Sequence, residues 1–422
     1  MSDRPPAGPP RFTATAWILL DWAASAFSTV LITLVVAYVE KVVCVDRPWG
    51  LDPGVIWAWT VAAAMLASAI VAPAFSAWAD RRGRHKSALL GSVAIGAGSL
   101  VLLSGVPRTA VMAVLAAVAA ANVGFDMAAI FAGSLLASIA TGRVADRLSA
   151  FGFAAGYAGG AIALVLATMI VSGHDSLGLT TAGGLRAAFA FTAGWWIVFS
   201  IPAALARFHE DPGTRHASSS AGELVAFAKS LVRPAATDRH LAAVLFGSML
   251  VLGAVQTAIA QFSSVAIAEF ELEPESLVRL ILLVQVVALP GALAVGRLSE
   301  VAGRRSALGV CLTGWTIVLV LAWFTATAAQ LHALAVLLAL VLGGTQSAIR
   351  AAVADAAPEG RAGVTFGLLQ VGSKLAGASA GLAFGWLHVI SGYPRAGLAA
   401  LLAQILVGWW MLRKMDARRP PA

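Results

Sequence analysis

Residues 76–86 read Ser76-Ala77-Trp78-Ala79-Asp80-Arg81-Arg82-Gly83-Arg84-His85-Lys86, and residues 296–305 read Gly296-Arg297-Leu298-Ser299-Glu300-Val301-Ala302-Gly303-Arg304-Arg305. In both stretches an acid is followed three residues later by Gly and then by Arg. The two acids, Asp80 and Glu300, stand 220 positions apart in a chain of 422. Each stretch separates two long apolar runs. A polar loop repeated at half-chain distance predicts an internal duplication, the architecture of secondary transporters.

The rest of the chain agrees. Apolar residues make up 59% and charged residues 12% of it, and the mean hydropathy is +0.84. Soluble domains carry about 25% charged residues, so the composition excludes a disordered chain and opposes a water-soluble enzyme. A helix that crosses a bilayer needs roughly 20 mostly apolar residues. Twelve such spans are predicted, at 15–39, 55–76, 87–106, 109–138, 149–172, 186–206, 240–266, 276–296, 306–326, 331–356, 364–390 and 395–412. The expected fold class is an all-α membrane protein with two six-helix pseudo-repeats.

Residues 1–14 form a Pro-rich polar lead, expected to be disordered and not a cleaved signal peptide. The halves, 15–206 and 239–412, are joined by a polar linker, 207–238, and a basic tail follows at 413–422. In the linker, Ser220 and Glu223 form a capping-box pattern ahead of Leu224, Phe227 and Leu231. That pattern predicts a short amphipathic helix on the membrane surface. Arg and Lys concentrate in the termini, the linker and the loops after even-numbered spans. By the positive-inside rule those segments are cytoplasmic, as in a multi-pass protein of a bacterial-type inner membrane. The net charge of +8 is therefore topological, and no nucleic-acid partner is expected. Cys44, Cys311 and seven scattered histidines form no metal-ligand pattern.

The repeated loop resembles the signature of the major facilitator superfamily, Gly-x-x-x-Asp-Arg-x-Gly-Arg-Arg. The resemblance implies a gate latch on the cytoplasmic side made by Asp80 with Arg84, together with Arg81 and Gly83. Glu300, Gly303 and Arg304 are the equivalents in the second half. The alternative is that these charges are only topology anchors. Further blocks resemble the vacuole-effluxer-like branch, named for an autophagy-linked vacuolar permease. They are Trp17-Ile-Leu-Leu-Asp21-Trp22-Ala-Ala-Ser25-Ala-Phe27, Gly152 to Gly160, Gly343-Gly344-Thr-Gln346 with Arg350, and Phe366-Gly367 with Gly372-Ser-Lys374. Departures are Leu20 and Ala24 in span 1, and Leu252 and Gly253 in span 7, where that branch usually has polar or aromatic residues. Membership implies export of an amino acid or another small metabolite by alternating access.

Four ionisable side chains lie well inside spans: Asp21, Asp126, Arg350 and Lys374. On an insertion scale each costs about 2.5–3.5 kcal/mol at a helix centre, so each is expected to face the bundle interior. Ser25 shares a helix stripe with Asp21, Asn122 with Asp126, and Gln346 with Arg350; Gln256 adds polar surface to span 7. These eight are the candidate substrate-binding or coupling residues, and internal ion pairing is the plainer alternative. Asp126 is the preferred proton carrier and Asp21 the second. Desolvation favours the neutral form of a membrane carboxyl. Gly152, Gly156 and Gly160, like Gly377, Gly381 and Gly385, are read as close-packing stripes. Gly367 to Lys374 only superficially suggests a phosphate loop, since the Lys is displaced and no strand precedes it. Trp49, Trp195, Trp196, Trp409 and Trp410 are read as an interfacial belt.

The expected function is secondary transport of a small zwitterion, without a cofactor, by a monomer, with proton coupling. A multidrug-type exporter is the rival within the class. A non-transporting membrane scaffold or sensor is the rival outside it. No nucleophile–base pair supports an enzyme.

Overall fold

The computed structural model describes residues 10–140, 142–208, 239–356 and 362–413, and within the linker only residues 222, 225, 226 and 229. Among them the chain forms twelve long helices. They are α1 (Arg11–Val43), α2 (Pro53–Arg82), α3 (His85–Gly105), α4 (Val111–Ile139), α5 (Gly142–Ser172) and α6 (Thr181–Leu205). After the linker come α7 (Arg239–Phe270), α8 (Pro274–Ala302), α9 (Arg304–Phe324), α10 (Ala328–Ala356), α11 (Ala362–Ser391) and α12 (Leu398–Arg413). Eleven of these regions are long and apolar enough to cross a membrane. The other, α11, has 30 residues, but Gln370, Lys374, His388 and its glycines lower its hydropathy.

Several helices outrun the apolar spans. Helix α1 begins at Arg11 and not at 15, so part of the expected disordered lead is helical, with the Ala14 amide donating to Pro10 O at 3.0 Å. Likewise α2 continues to Arg82 and α5 begins at Gly142. Hydropathy marks the hydrocarbon layer, whereas a helix needs only its own i→i−4 bonds and continues into water. The expected linker helix on Leu224, Phe227 and Leu231 and the tail 414–422 lie outside the described residues.

The repeated loop has the same backbone device twice. Gly83 ends α2 at φ +56° and Gly303 ends α8 at φ +83°. Only Gly adopts such angles at little cost. The Gly three residues after each acid is therefore required by the turn.

The chain divides into two compact units. One comprises Met1–Tyr38 and Phe75–Ala217, the other Val39–Ala74 and Ser218–Ala422. The boundary differs from a cut at the linker, because the 39–74 hairpin groups with the second half. In the first unit, α5 lays its glycine stripe on α1. A Cβ on Gly152 would meet an Asp21 carboxylate oxygen at 2.5 Å, and one on Gly156 would meet Ser25 Oγ at 2.7 Å. The Trp17 indole, buried, donates to Ala132 O on α4 at 2.7 Å. Trp196 stacks on Phe27, with centroids 5.3 Å apart. It is buried, not interfacial as expected, because Phe27 of α1 and Phe125 of α4 pack against its ring.

In the second unit, α7 and α11 cross closely. A Cβ on Gly253 would meet Gly377 N at 2.6 Å, and Thr257 Oγ1 donates to Gly377 O at 3.0 Å. Small residues let the backbones approach, as expected of that stripe. The 39–74 hairpin packs on the same pair. Trp57 Nε1 donates to Ala260 O on α7 at 2.8 Å, and Trp59 lies 5.6 Å from Trp386 on α11.

Candidate functional site

Within the first unit, the candidate polar residues belong to α1 and α4. Asp21, Ser25 and Asp126 are half-buried. Asn122 is also half-buried and donates its side-chain amide to Val118 O at 3.0 Å. Asp21 and Ser25 lie directly under the α5 glycines, so the packing stripe and the polar stripe are one contact.

Within the second unit, Gln256, Gln346 and Lys374 are half-buried and Arg350 is exposed. In that exposure Arg350 differs from Asp21, Asp126 and Lys374. It sits only two turns before the end of α10 at Ala356. Gln256 Oε1 is buried without a hydrogen-bond partner among the described residues. Gln261, one of the polar α7 residues, is buried with neither amide atom partnered among the described residues. It lines a cavity of about 50 Å³, large enough for a bridging water.

Of the gate residues, Gly83, Gly303 and Arg84 are described. The Arg84 side chain is exposed, and its amide donates to Ala79 O at 2.9 Å. The side chains of Asp80, Arg81, Glu300 and Arg304 lie outside the described residues. Nearby, Lys86 Nζ donates to Ala206 O at 2.9 Å, capping the last turn of α6.

The second unit also holds a cluster that the apolar pattern did not reveal. Helix α1 contains two π-helical segments, Leu31–Val35 and Val39–Val43. Such wide turns are frequent at functional sites. Glu40 lies in the second one, only 6% exposed. Ser264 of α7 stands beside its carboxyl group, and its Oε1 has no partner among the described residues.

Three more side chains converge at the start of α2. Asp52 Oδ1 accepts the Gly54 amide at 3.0 Å and faces His388 Nε2 of α11 at 3.8 Å. A Cβ on Gly54 would lie 3.1 Å from Ser264 Oγ and 3.7 Å from His388 Cε1. Arg47 reaches Asp52 Oδ2 at 3.8 Å. Lys41 Nζ donates to Leu272 O at 2.7 Å, just beyond α7, and Arg395 pairs with Glu269 at 3.0 Å. The ends of α1, α2, α7 and α11 are thus joined by titratable groups. Chemically the cluster can take up or release a proton, and its ion pairs can part and re-form.

The sequence signal for this cluster was weak. Glu40-Lys41 closes an apolar run and reads as a span edge, and His388 stands alone near the end of α11. Only their juxtaposition marks them.

The fold is shared with solved transporters. A point variant of the nucleoside transporter NupG superposes with a TM-score of 0.72 at 12% identity, covering 96% of this chain and 99% of that one. A D-xylose–proton symporter gives 0.68 at 15% identity, covering 96% and 98%. In sequence, an uncharacterized MFS-type transporter of Bacillus subtilis, YxiO, is 25% identical over 406 residues, 94% of each chain. These relatives are transporters and not enzymes. The family model described as "Vacuole effluxer Atg22 like" matches residues 55–420, and the chain belongs to that family, a branch of the major facilitator superfamily of membrane transporters.

Proposed function

We propose that the protein is a secondary exporter of a small zwitterionic metabolite, of the amino-acid class, driven by protons. The observation that carries proton coupling is the buried Glu40 carboxyl, set in a π-helical turn with one oxygen unpartnered among the described residues. Alternating access requires one end of such a bundle to part while the other closes. A carboxyl group at a helix junction that must open can exchange its proton with water once per cycle. Asp126, deeper in its span, is the second proton site.

The charge pattern supports the substrate class. Both deep acids, Asp21 and Asp126, belong to the first half; both deep bases, Arg350 and Lys374, belong to the second. From the span boundaries and a rise of about 1.5 Å per residue, Asp21 and Arg350 sit at one shallow level, and Asp126 and Lys374 nearer the midplane. An ammonium directed to Asp126 and a carboxylate directed to Lys374 is the arrangement we propose for the bound substrate. Asp80 with Arg84 then closes the cytoplasmic exit. Both termini and the linker are cytoplasmic in this proposal, from the distribution of Arg and Lys. The working form is a monomer in a bacterial-type inner membrane.

The test is flux in proteoliposomes against a panel of labelled metabolites, with and without a pH gradient. Accumulation of amino acids that collapses with the gradient is expected. Flux of apolar drugs instead would select the multidrug exporter, and no flux under any gradient would select a scaffold or sensor.

A further inference from the structure

Away from that cluster, an open groove of about 690 Å³ runs along α9 between α8 and α10, and Trp409 of α12 closes one end. Its volume falls within the range of about 300–1,000 Å³ typical of small-molecule sites. The α9 wall presents Ser306, Gly309, Val310 and Ile317, one helical face. From Ser306 to Ile317 the groove extends about 16 Å at 1.5 Å per residue. That is close to one leaflet of a hydrocarbon core of roughly 30 Å. Val310 and Ile317, with Leu340 opposite, are exposed apolar residues. Gly309 faces open space, with no atom within 4 Å of where a Cβ would stand.

Positive charge collects at the Ser306 end. Arg305 is adjacent in sequence, and its Nη2 donates to Arg413 O at 3.4 Å. The Arg413 guanidinium lies 4.3 Å from the ring centroid of Trp409. Both arginine side chains are exposed, and among the described residues neither has a carboxylate partner. Residues 413–422 carry Arg413, Lys414, Arg418 and Arg419 against the single acid Asp416. Basic groups at one end of an apolar groove between helices are the chemistry that selects an anionic lipid.

We propose that this groove binds one anionic phospholipid of the surrounding leaflet, its phosphate at Arg305 and Arg413 and one acyl chain along Gly309 to Ile317. Arg413, stacked on Trp409, links the two parts of the ligand, because Trp409 lines the groove that the chain fills.

Native mass spectrometry of the full-length protein in detergent tests this with two probes of matched acyl chains, phosphatidylglycerol and phosphatidylcholine. Phosphatidylglycerol is expected to be retained at least fivefold more. Arg305→Gln with Arg413→Gln should remove that preference and leave weak binding of both lipids. Gly309→Leu, which fills open space, should lower retention of both, with the thermal midpoint within a few degrees of the parent. Equal retention of the two lipids by the parent overturns the proposal. So does a preference unchanged in the double arginine variant. A dimer that Gly309→Leu dissolves, without any lipid preference, assigns the groove to a second copy and overturns it equally.

Discussion

His388 Nε2, near the end of α11, faces Asp52 Oδ1, just before α2, at 3.8 Å. The imidazole is buried, and its Nδ1 has no partner among the described residues. Asp52 also holds the Gly54 amide and Arg47, so one carboxylate serves the start of α2, the preceding loop and α11 together. Replacing it should loosen the junction that these elements form.

Cys44 reports this opening, because it is fully buried beside Glu40. Burial, with the Glu40 charge adding to it, pushes its thiol up to about 11. The thiolate is the reactive form, so little reacts at pH 7, and the labelling rate should rise about tenfold per pH unit below that value. In a Cys311→Ser background, Asp52→Asn should speed labelling of Cys44 by an impermeant maleimide at least fivefold. An unchanged rate would show that Asp52 does not hold the junction closed.

Coupling separates the two proposed proton sites. Glu40→Gln and Asp126→Asn are each expected to abolish accumulation driven by a pH gradient and to spare exchange at equal concentrations. Proteoliposome uptake and counterflow measure the two quantities side by side. Full gradient-driven accumulation in either variant removes that residue from the proton path.

The glycine stripe on α5 makes a stability prediction. A Cβ on Gly156 would stand 2.7 Å from Ser25 Oγ and 3.4 Å from Asp21 O. Gly156→Leu should therefore cost about 1–3 kcal/mol, the usual penalty for overpacking, and lower the thermal midpoint in detergent. Gly133→Ala, where no atom lies within 4 Å of the added Cβ, is the control expected to leave the midpoint nearly unchanged. Equal midpoints for both variants would refute the close α1–α5 contact.

Substrate recognition is tested at Lys374. If it meets a carboxylate, Lys374→Ala should weaken transport of an amino acid tenfold or more and that of its amide far less. Competition of each against a labelled substrate gives the comparison. Equal losses would place the carboxylate elsewhere.

Twelve helices and the repeated loop were legible in the amino-acid order because both rest on local physics. A span of some twenty apolar residues satisfies its own backbone hydrogen bonds in a lipid core, and the turns at Gly83 and Gly303 need a residue free to adopt positive φ. The glycine stripes of α5 and α11 were legible for the same reason, since their four-residue spacing is a property of one helix. The polar residues of the spans were found as residues, though not with their surroundings. Arg350 is exposed and Trp196 is buried, because exposure depends on which neighbour covers each face. The junction of Glu40, Asp52, Ser264 and His388 was beyond reach of the sequence. These residues come from four helices or their ends and share no spacing, and the π-helical turn that holds Glu40 has no local signature. Side chains so distant along the chain meet only once the helices have packed, and that packing is a property of the whole set of surfaces and not of any one segment.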